Sequence, residues 1–395
     1  MNTFDEACAV IGGLAGPLGT EQVRLDEAYG RVLAASVAAA SAAPAFSVSA
    51  MDGYAVRDAD LGPGGGALRV VGESFAGPHS FGGVLEPGCC VRIFTGAAVP
   101  EGADRVVVQE VVRRDGDMAV IPAPTGGRHI RAAGSDFAAG EVLLQSGERL
   151  TPQAMIAAAA ADTASLEVFR RPRVTILSTG DELVEPGQAA GRPGTIPDSV
   201  SLGVAALSRL WGAEVAGRRR LGDDLSALSV AAGEALQAAD VVLTTGGASV
   251  GEKDFARAMF APFGLEVAID KVAMKPGKPI WVGRAQGRVV VGLPGNPTSA
   301  LVTARLFLAP ILAAMGGRSA AEAWAWRAAP LAAPLPAGGE RESFERARQD
   351  PAGVASVASQ DSSAQKELAR ADVLIRRPPG APALAAGAVA DVLDF

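Results

Sequence analysis

The stretch "DVVLTTGGASVGEKDF" (residues 240–255) joins an apolar run to two glycines and then to a group of polar side chains. The run "DVVLT" is short and rich in β-branched residues, which is typical of a buried strand. The two glycines predict a tight turn, and Ser249 followed three residues later by Glu252 matches the capping box of a helix start. The stretch therefore predicts a strand, a glycine turn and a helix in succession.

The predicted turn favours ligands of both charges. Backbone N–H groups and the positive end of a helix favour an anion, but Glu252 and Asp254 are themselves anionic. An anion bound together with a cation resolves this conflict, because carboxylates bind the cation while N–H groups and lysines bind the anion. A phosphate ester held partly through Mg²⁺ is a ligand of that kind.

The same alternation of strand and helix extends to both sides of this stretch. Helices are predicted near Ser199 to Trp211 and from Leu225 to Ala238. Further strands are predicted at "RVTILS" (173–178), "AEVAGRRRL" (213–221) and "RVVVGLPG" (288–295). Strands and helices that alternate at this spacing predict a doubly wound, parallel sheet. We assign this sheet to residues 169–317, as one unit of an α/β multidomain protein.

Three further units are predicted around the sheet. They are a discontinuous helical and elongated unit (1–43 and 131–168), a β-rich domain (44–130) and a small C-terminal β barrel (318–395). The elongated unit is expected to be helical from Phe4 to about Val37, with a polar interruption, and again from Thr151, where Thr caps and Pro takes the first helical position. Short β-branched segments between Gly/Pro turns indicate the two β units.

The overall composition limits the possible functions. The chain has 395 residues with 36 basic and 43 acidic side chains, and its one basic block is Arg218–Arg220, so nucleic-acid binding is not expected. Cys8, Cys89 and Cys90 fit neither a metal spacing nor a disulfide framework, which predicts a reducing, cytoplasmic setting. No signal peptide and no membrane span is expected. Because there are only two histidines, the chemistry is expected to depend on carboxylates, lysines and backbone amides.

Polar loops follow the predicted strands. Ligands of an open parallel sheet bind outside the carboxyl ends of its strands, where neighbouring loops converge. We therefore expect one crevice lined by the side chains and turns of these loops: Asp181, Glu182, Asp254, Gly246, Gly247, Ser249, Lys271, Lys275 and Lys278. Each feature alone has an ordinary structural role, such as helix capping by Asp223 and Asp224. The prediction of a site depends on their convergence.

Seven motifs carry a resemblance to a known family. In chain order they are "SAMDGYAVR", "FTGAAVPEGAD", "GEVLLQSGERLTP", "STGDELVEPG", "GGASVGEKDF", "MKPGKP" and "GLPGNPTSA". Together they resemble the molybdopterin molybdenumtransferase family, which includes MoeA and the equivalent E domain of gephyrin. The similarity extends over nearly the whole chain and is densest from Ala50 to Ala300.

The resemblance implies a fold and an activity. The sheet unit is expected to be a MogA-like, molybdopterin-binding domain. The implied enzyme inserts molybdate into adenylylated molybdopterin and releases AMP, in a Mg²⁺-dependent reaction. A homodimer is also implied, with each site shared between the sheet domain of one subunit and the β-rich domain of the other. Partners would include molybdopterin adenylyltransferase and apo-molybdoenzymes or their chaperones.

The resemblance also implies roles for individual residues. The expected catalytic residues are Asp52, Thr95, Asp136, Glu182, Asp223 and Asp254. Three of these, Glu182, Asp223 and Asp254, are expected to bind the metal. The expected ligand-binding positions in the later motifs are Lys271, Lys275, Pro294 and Pro297, to which the loop argument adds Lys278, Gly246, Gly247 and Ser249.

Three positions depart from the family pattern. "GTIPDSV" has Pro197 and Val200 where the family has Tyr and Asn, and "SQDSSAQKEL" has Asp361 in place of a Gly- and Ser-rich turn. Two alternatives therefore stay open. One is a non-catalytic carrier or scaffold that binds molybdopterin, and the other is a molybdopterin adenylyltransferase, against which the long β-rich domain argues.

Overall fold

A computed structural model of the protein describes residues 1–123, 125–246 and 255–395. The N-terminal part contains α1 (Phe4–Leu14), β1 (Thr20–Arg24) and β2 (Val37–Ala38). The β-rich region contains eight strands: β3 (Val48–Ser49), β4 (Gly53–Val56), β5 (Gly65–Ser74), β6 (Cys89–Ile93), β7 (Arg105–Val108), β8 (Arg113–Asp115), β9 (Met118–Pro122) and β10 (Ile130–Arg131). The chain continues through β11 (Val142–Leu144), α2 (Pro152–Ala160) and β12 (Ser165–Phe169).

The β-rich region forms one main sheet. Its strand order is β7-β4-β6-β5-β9-β8, in which only the β5–β6 pair is parallel. Alternate residues face opposite sides of each strand, so that two apolar clusters form, one around Tyr54 and Val56 and the other around Ala55 and Ile93. The predicted β-rich unit is confirmed.

The elongated unit joins two distant pieces of the chain. Strand β1 pairs with β12 and β2 pairs with β11, both antiparallel. A small core of leucines, valines and alanines, which includes Leu33 and Val168, lies between these pairs and α2. The prediction of helix up to Val37 is wrong for the residues that follow α1. Val23 lies opposite Leu166 in a ladder that spans more than a hundred residues of sequence, and this tertiary pairing overrides a weak helical pattern.

Helix α1 packs on the sheet domain. Its buried positions Phe4, Ala7, Ile11 and Leu14 recur at helical spacing and share one core with the sheet strands. The amide of Asn2 also donates to the carbonyl of Lys271 at 2.9 Å. The packing therefore places α1 beside the sheet, although residues 1–43 were assigned to the elongated unit.

The sheet domain contains most of the remaining elements. They are β13 (Arg173–Thr179), β14 (Leu183–Val184), β15 (Ile196–Pro197), α3 (Val200–Leu210), β16 (Glu214–Leu221), α4 (Leu225–Ala238), β17 (Val241–Thr245), α5 (Phe255–Ala258), β18 (Glu266–Ile269), β19 (Met274–Lys275), β20 (Trp281–Ala285), β21 (Arg288–Leu293), α6 (Pro297–Thr303) and α7 (Ala309–Met315). A π-helical turn, Ala304–Leu308, makes α6 and α7 one continuous helix.

The main sheet has the order β16-β13-β17-β21-β20-β18 and is mixed. Strands β16, β13, β17 and β21 are parallel, as predicted, but β20 and β18 are antiparallel to their neighbours. The prediction of a parallel sheet is thus wrong at this edge. Gln286 and Gly287, with φ of 48° and 75°, form a two-residue hairpin between β20 and β21, and such a loop can join only antiparallel strands.

The continuous helix Pro297–Met315 lies in the core of this domain. Among the described residues it alone is long and apolar enough to cross a membrane, yet 94% of it is buried inside the protein. Its apolar side chains, such as Leu306 and Phe307, pack with those of the sheet and α1. Its hydropathy is therefore that of a core helix.

The C-terminal region forms a small barrel. It contains β22 (Arg327–Pro330), β23 (Glu342–Asp350), β24 (Gly353–Ser356), α8 (Gln365–Leu368), β25 (Val373–Arg377) and β26 (Val389–Asp394). Strands pair in the order β24-β23-β25-β26-β22, and a bridge between Leu331 and Val354 closes the ring. Strand β19 of the sheet domain pairs with β23, so the barrel is joined to the loop that carries Lys275. The predicted barrel is confirmed.

Asp240 anchors the start of the central strand β17. Its side chain is 1% exposed and accepts hydrogen bonds from the Arg170 guanidinium at 3.0 and 3.1 Å and from the Arg173 amide at 2.8 Å. Burial alone would raise the pKa of Asp240, but the Arg170 and Arg173 bonds outweigh it and hold the pKa below its ordinary value. Arg170 follows β12, so this ion pair connects the elongated unit to the sheet.

We expect Asp240→Ala to lower the free energy of unfolding by about 2 kcal/mol at neutral pH, because the hydrogen bonds to Arg170 and Arg173 are lost. The loss is no larger because these two arginines are partly exposed and water can solvate them in the variant. A carboxylate with a depressed folded pKa stabilises the protein above its unfolded pKa of about 3.9, and the contribution is lost as pH falls through the folded value. Denaturant unfolding of the unaltered protein and of Asp240→Ala at several pH values checks this loss of stability. A difference that stays constant into the acid range would contradict it.

Candidate functional site

Glycines bring three strand ends together at the carboxyl edge of the sheet. Gly246, which follows β17, has φ of +92°, and a Cβ there would lie 2.4 Å from the carbonyl oxygen of Thr179 at the end of β13. A Cβ on Gly295, which follows β21, would lie 3.5 Å from the Cα of Gly246. At Gly246 only backbone without a side chain fits this approach, so the turns leave an open crevice with exposed main chain.

The crevice has a volume of about 340 Å³. Its walls come from the strand ends, from the starts of α3 and α6, and from the C-terminal region: Thr179, Glu182, Leu183, Ile196, Pro197, Asp198, Ser199, Val200, Thr245, Gly246, Gly295, Asn296, Pro297, Ser363 and Gln365. The N-termini of two helices open into the same space. The positive ends of their dipoles favour an anionic ligand.

The loops after β13 and β16, at the rim of the crevice, carry acidic side chains. Glu182 lines the crevice. The Oδ1 atom of Asp181 accepts a hydrogen bond from the amide of Asp223 at 3.0 Å and therefore joins the loop after β13 to the loop after β16. A Cβ on Gly222 would lie 2.8 Å from this Oδ1 atom, so a side chain at position 222 would shift the Asp181 carboxylate.

Asp198 is a buried acidic residue that sequence reasoning missed. It is 3% exposed, lines the crevice, and accepts hydrogen bonds from the amide and the hydroxyl of Ser201 at 3.2 and 2.6 Å. Asp198 thus caps α3 with its side chain. The signal was available, because an acidic residue just before an apolar helical segment is a helix-start pattern.

The C-terminal region forms one wall of the crevice. The hydroxyl of Thr298 donates to the carbonyl of Ser362 at 2.7 Å, and the side-chain amide of Asn296 donates to the Ser362 hydroxyl at 3.2 Å. These contacts hold the turn 359–363 against the start of α6. Asp361 accepts hydrogen bonds from the hydroxyl and amide of Ser363, which hold the pKa of Asp361 below its ordinary value.

Arg346 is a second residue that sequence reasoning missed. It lies on β23, is fully buried, and donates to the carbonyls of Ser359 and Asp361 at 3.2 and 3.0 Å. Gln360 also binds the backbone of Arg346 through both ends of its side-chain amide. The turn 359–363 is thus shaped by a guanidinium from the barrel. A lone arginine inside a strand gave no signal of this contact.

The lysines are not gathered in the crevice. Lys275 lines a separate cavity of about 530 Å³ between the sheet domain and the barrel, together with Ser356 and Gln360. Lys271 and Lys278 are half-buried and exposed, respectively, and neither is among the residues that line these two cavities. Within the described residues, the expected single crevice is therefore two separate cavities, one lined by Glu182 and the other by Lys275. The turn 359–363, which Arg346 holds, lies between them.

In the β-rich domain, the structure brings Asp52 and Thr95 together. The amide and the hydroxyl of Thr95 both donate to Oδ1 of Asp52 at 2.8 Å. These two bonds hold the pKa of Asp52 below its ordinary value, with a smaller contribution from the charge of Arg92. Asp136 is exposed, and its amide donates to the carbonyl of Ala43 at 3.0 Å.

Several predicted positions remain apart or outside the description. Asp52, Thr95 and Asp136 are not among the residues that line the crevice of the same chain, and Pro294 directly precedes Gly295 at its edge. Gly247, Ser249 and Asp254 lie outside the described residues. Within residues 1–123, 125–246 and 255–395, no three His, Cys, Asp or Glu side chains are grouped as a metal site.

Comparison with known families identifies all three regions of the chain. Residues 2–161 match the model of the MoeA N-terminal region (domain I and II), and residues 175–314 match a probable molybdopterin binding domain. Residues 328–395 match the MoeA C-terminal region (domain IV). The three matches occur in the order that the motifs predicted.

Individual relatives agree with these matches. The molybdopterin molybdenumtransferase of Haemophilus influenzae is 39% identical, over 80% of this chain and 78% of its own, and that of Synechococcus elongatus is 35% identical, over 95% and 94%. A crystal structure of the molybdopterin biosynthesis MoeA protein of Pyrococcus horikoshii aligns with a TM-score of 0.85 at 25% identity, over all of both chains. The chain therefore belongs to the molybdopterin molybdenumtransferase family, and the predicted resemblance is confirmed.

The Asp52–Thr95 contact yields a prediction. Thr95→Val removes the hydroxyl that donates to Asp52 and keeps the backbone amide, so we expect the pKa of Asp52 to rise toward its ordinary value. Thr95→Ser keeps the hydroxyl and should leave the pKa low. Carboxyl-carbon NMR titration of Asp52 in the three proteins checks this, and equal pKa values in all three would contradict it.

Proposed function

We propose that the protein inserts molybdate into adenylylated molybdopterin and releases AMP. The observation that best supports this is the crevice, in which the N-termini of α3 and the Pro297–Met315 helix face acidic residues across glycine turns. A phosphorylated pterin and a nucleotide are anions that such helix ends bind. The names of the relatives, molybdopterin molybdenumtransferase, agree with this reaction.

The acidic rim fits a magnesium ion. Mg²⁺ is usually bound by one or two carboxylates together with substrate phosphates, so a cage of three protein ligands is not required. Glu182, which lines the crevice, and Asp223, whose loop is joined by Asp181 to the loop that carries Glu182, would hold the ion. When bound, Mg²⁺ would neutralise the charge of the phosphates near these carboxylates.

The protein's own groups would then orient the substrate. Exposed main chain at Gly246 and Gly295 lets a ligand approach closely, and Asp198 keeps the start of α3 in place through Ser201. Ser363 and Gln365 of the C-terminal wall would exclude water from one side. Lys275, in the neighbouring cavity, is suited to an oxyanion such as molybdate. No covalent nucleophile is needed, because positioning and charge neutralisation suffice.

We also propose that the site is completed in a homodimer. Asp52 and Thr95 form a preorganised pair in the β-rich domain but do not line the crevice of their own chain. A second copy that places its β-rich domain against the crevice would bring this pair to the substrate. In a cell that makes molybdenum cofactor in this way, molybdopterin adenylyltransferase would supply the substrate. Apo-molybdoenzymes or their chaperones would accept the product.

The test is release of AMP from adenylylated molybdopterin by the purified protein. We expect release to require both molybdate and Mg²⁺, as a metal-insertion reaction predicts. Tight binding of adenylylated molybdopterin without release of AMP would instead indicate the carrier. Formation of adenylylated molybdopterin and pyrophosphate from molybdopterin and ATP would instead indicate the adenylyltransferase.

A matched pair of variants tests the role of the rim. We expect Glu182→Gln to lower kcat by about 10²-fold, the loss typical of one electrostatic group in an active site, with unchanged thermal stability. Glu185→Gln is the control, since Glu185 pairs with Arg218 and Arg220 outside the crevice. Equal kcat values for the two variants would show that the Glu182 carboxylate has no role in the reaction.

A further inference from the structure

A third cavity, of about 210 Å³, lies where the elongated unit meets the sheet domain. Helices α3 and Pro297–Met315 both begin at the crevice, and their C-terminal ends, Leu210 and Leu312 to Ala313, line this cavity. At 1.5 Å per residue, α3 alone separates the two spaces by about 16 Å. Six arginines line the cavity: Arg31, Arg149, Arg170, Arg171, Arg209 and Arg318.

The cavity is built by close contacts within the elongated unit and between that unit and the sheet domain. The amide of Gly30 donates to the carbonyl of Leu150 at 2.8 Å, which places the segment that carries Arg31 beside the one that carries Arg149. Gly317, with φ of +85°, follows the long helix, and a Cβ there would lie 2.0 Å from the Phe169 ring. The glycine therefore allows the helix end to meet β12 directly.

The charges in this cavity are only partly compensated. Arg31, Arg170 and Arg318 form ion pairs with Glu21, Asp240 and Glu322. In the part of the chain that the structure describes, the other three, Arg149, Arg171 and Arg209, form no ion pair with a carboxylate. The cavity thus has an excess of guanidinium groups, which bind phosphate oxygens in a bidentate manner.

Two observations separate a ligand site from simple helix capping by arginine. The last carbonyls of the long helix already accept backbone bonds, since Gly316 and Arg318 donate their amides to Leu312 and Ala313, both at 2.9 Å. Burial and the neighbouring charge of Arg31 also lower the pKa of Arg171, so an anion that entered the cavity would relieve this repulsion.

We propose that this cavity binds a phosphate-bearing small anion, at a site separate from the crevice. The arginines would bind the phosphate oxygens. The aromatic ring of Tyr29, which is 60% exposed at the cavity, could stack on a nucleobase if the anion is a nucleotide. The anion would bridge the elongated unit and the sheet domain, because Arg149 belongs to the first and Arg209 to the second.

The proposal is tested by calorimetric titration with inorganic pyrophosphate and with AMP at constant ionic strength. Turnover is not needed, so the result is independent of the AMP-release assay. We expect saturable binding that weakens at least about tenfold when Arg149, Arg171 and Arg209 are all changed to Gln. The control changes Arg24, Arg113 and Arg114 to Gln, which removes the same charge from exposed positions and should preserve binding.

The two probes distinguish the source of the phosphate. If Tyr29→Ala weakens AMP but not pyrophosphate, the ligand is a nucleotide; if neither changes, it is an inorganic oxyanion. Titrations in Val200→Glu, which places a carboxylate in the crevice, and in Lys275→Gln, which alters the cavity beside the crevice, separate the arginine cavity from both, and binding should persist in each variant. Equal affinity in the two triple variants, or no binding to the unaltered protein, would overturn the proposal.

Discussion

The approach of three backbone turns at the carboxyl edge of the sheet is the constraint on which the rest of the site depends. Gly246 can lie against Thr179 only without a side chain, and Gly295 in turn lies against Gly246. The loops are therefore close enough to present main-chain groups to one space, while Glu182 and Asp198 reach it from the sides. A larger residue at Gly246 would separate the strand ends and move each of these groups, so the geometry of the site is set by backbone contact.

The helices that begin at this crevice also determine the electrostatics at their other ends. Parallel strands with helical crossovers direct helix N-termini to the carboxyl edge of the sheet and C-termini to the opposite edge. The first edge is electropositive and suits an anion, whereas the second is electronegative and tolerates arginines. The arginine cavity and the crevice are thus two consequences of one topology. They are joined by a helix that is almost wholly buried, which gives the two ends a rigid connection.

Sequence reasoning found the elements whose signals are local. The strand, glycine turn and helix pattern located the sheet, and the helix over Leu225–Ala238 has the predicted bounds. It failed where distant parts of the chain decide the structure. Strand β1 exists because β12 pairs with it, and the turn 359–363 has its shape because Arg346 binds its carbonyls. The separation of Lys275 from the crevice likewise depends on barrel packing, which periodicity cannot reveal.

The departures from the family pattern alter side chains without disturbing the backbone that carries them. The amide of Ile196 donates to the carbonyl of Glu182 at 2.8 Å, and the amide of Asp198 donates to that of Val184 at 2.9 Å, so the residue between them has no ladder bond to donate. Proline at 197 therefore costs no hydrogen bond there. Val200 is the first residue of α3, whose start is held by Asp198, and the Asp361 carboxylate is occupied by Ser363. The crevice thus keeps its anion-binding main chain while two of its lining positions become apolar. A loss of side-chain contacts to the substrate, rather than a loss of the site, is what these positions imply.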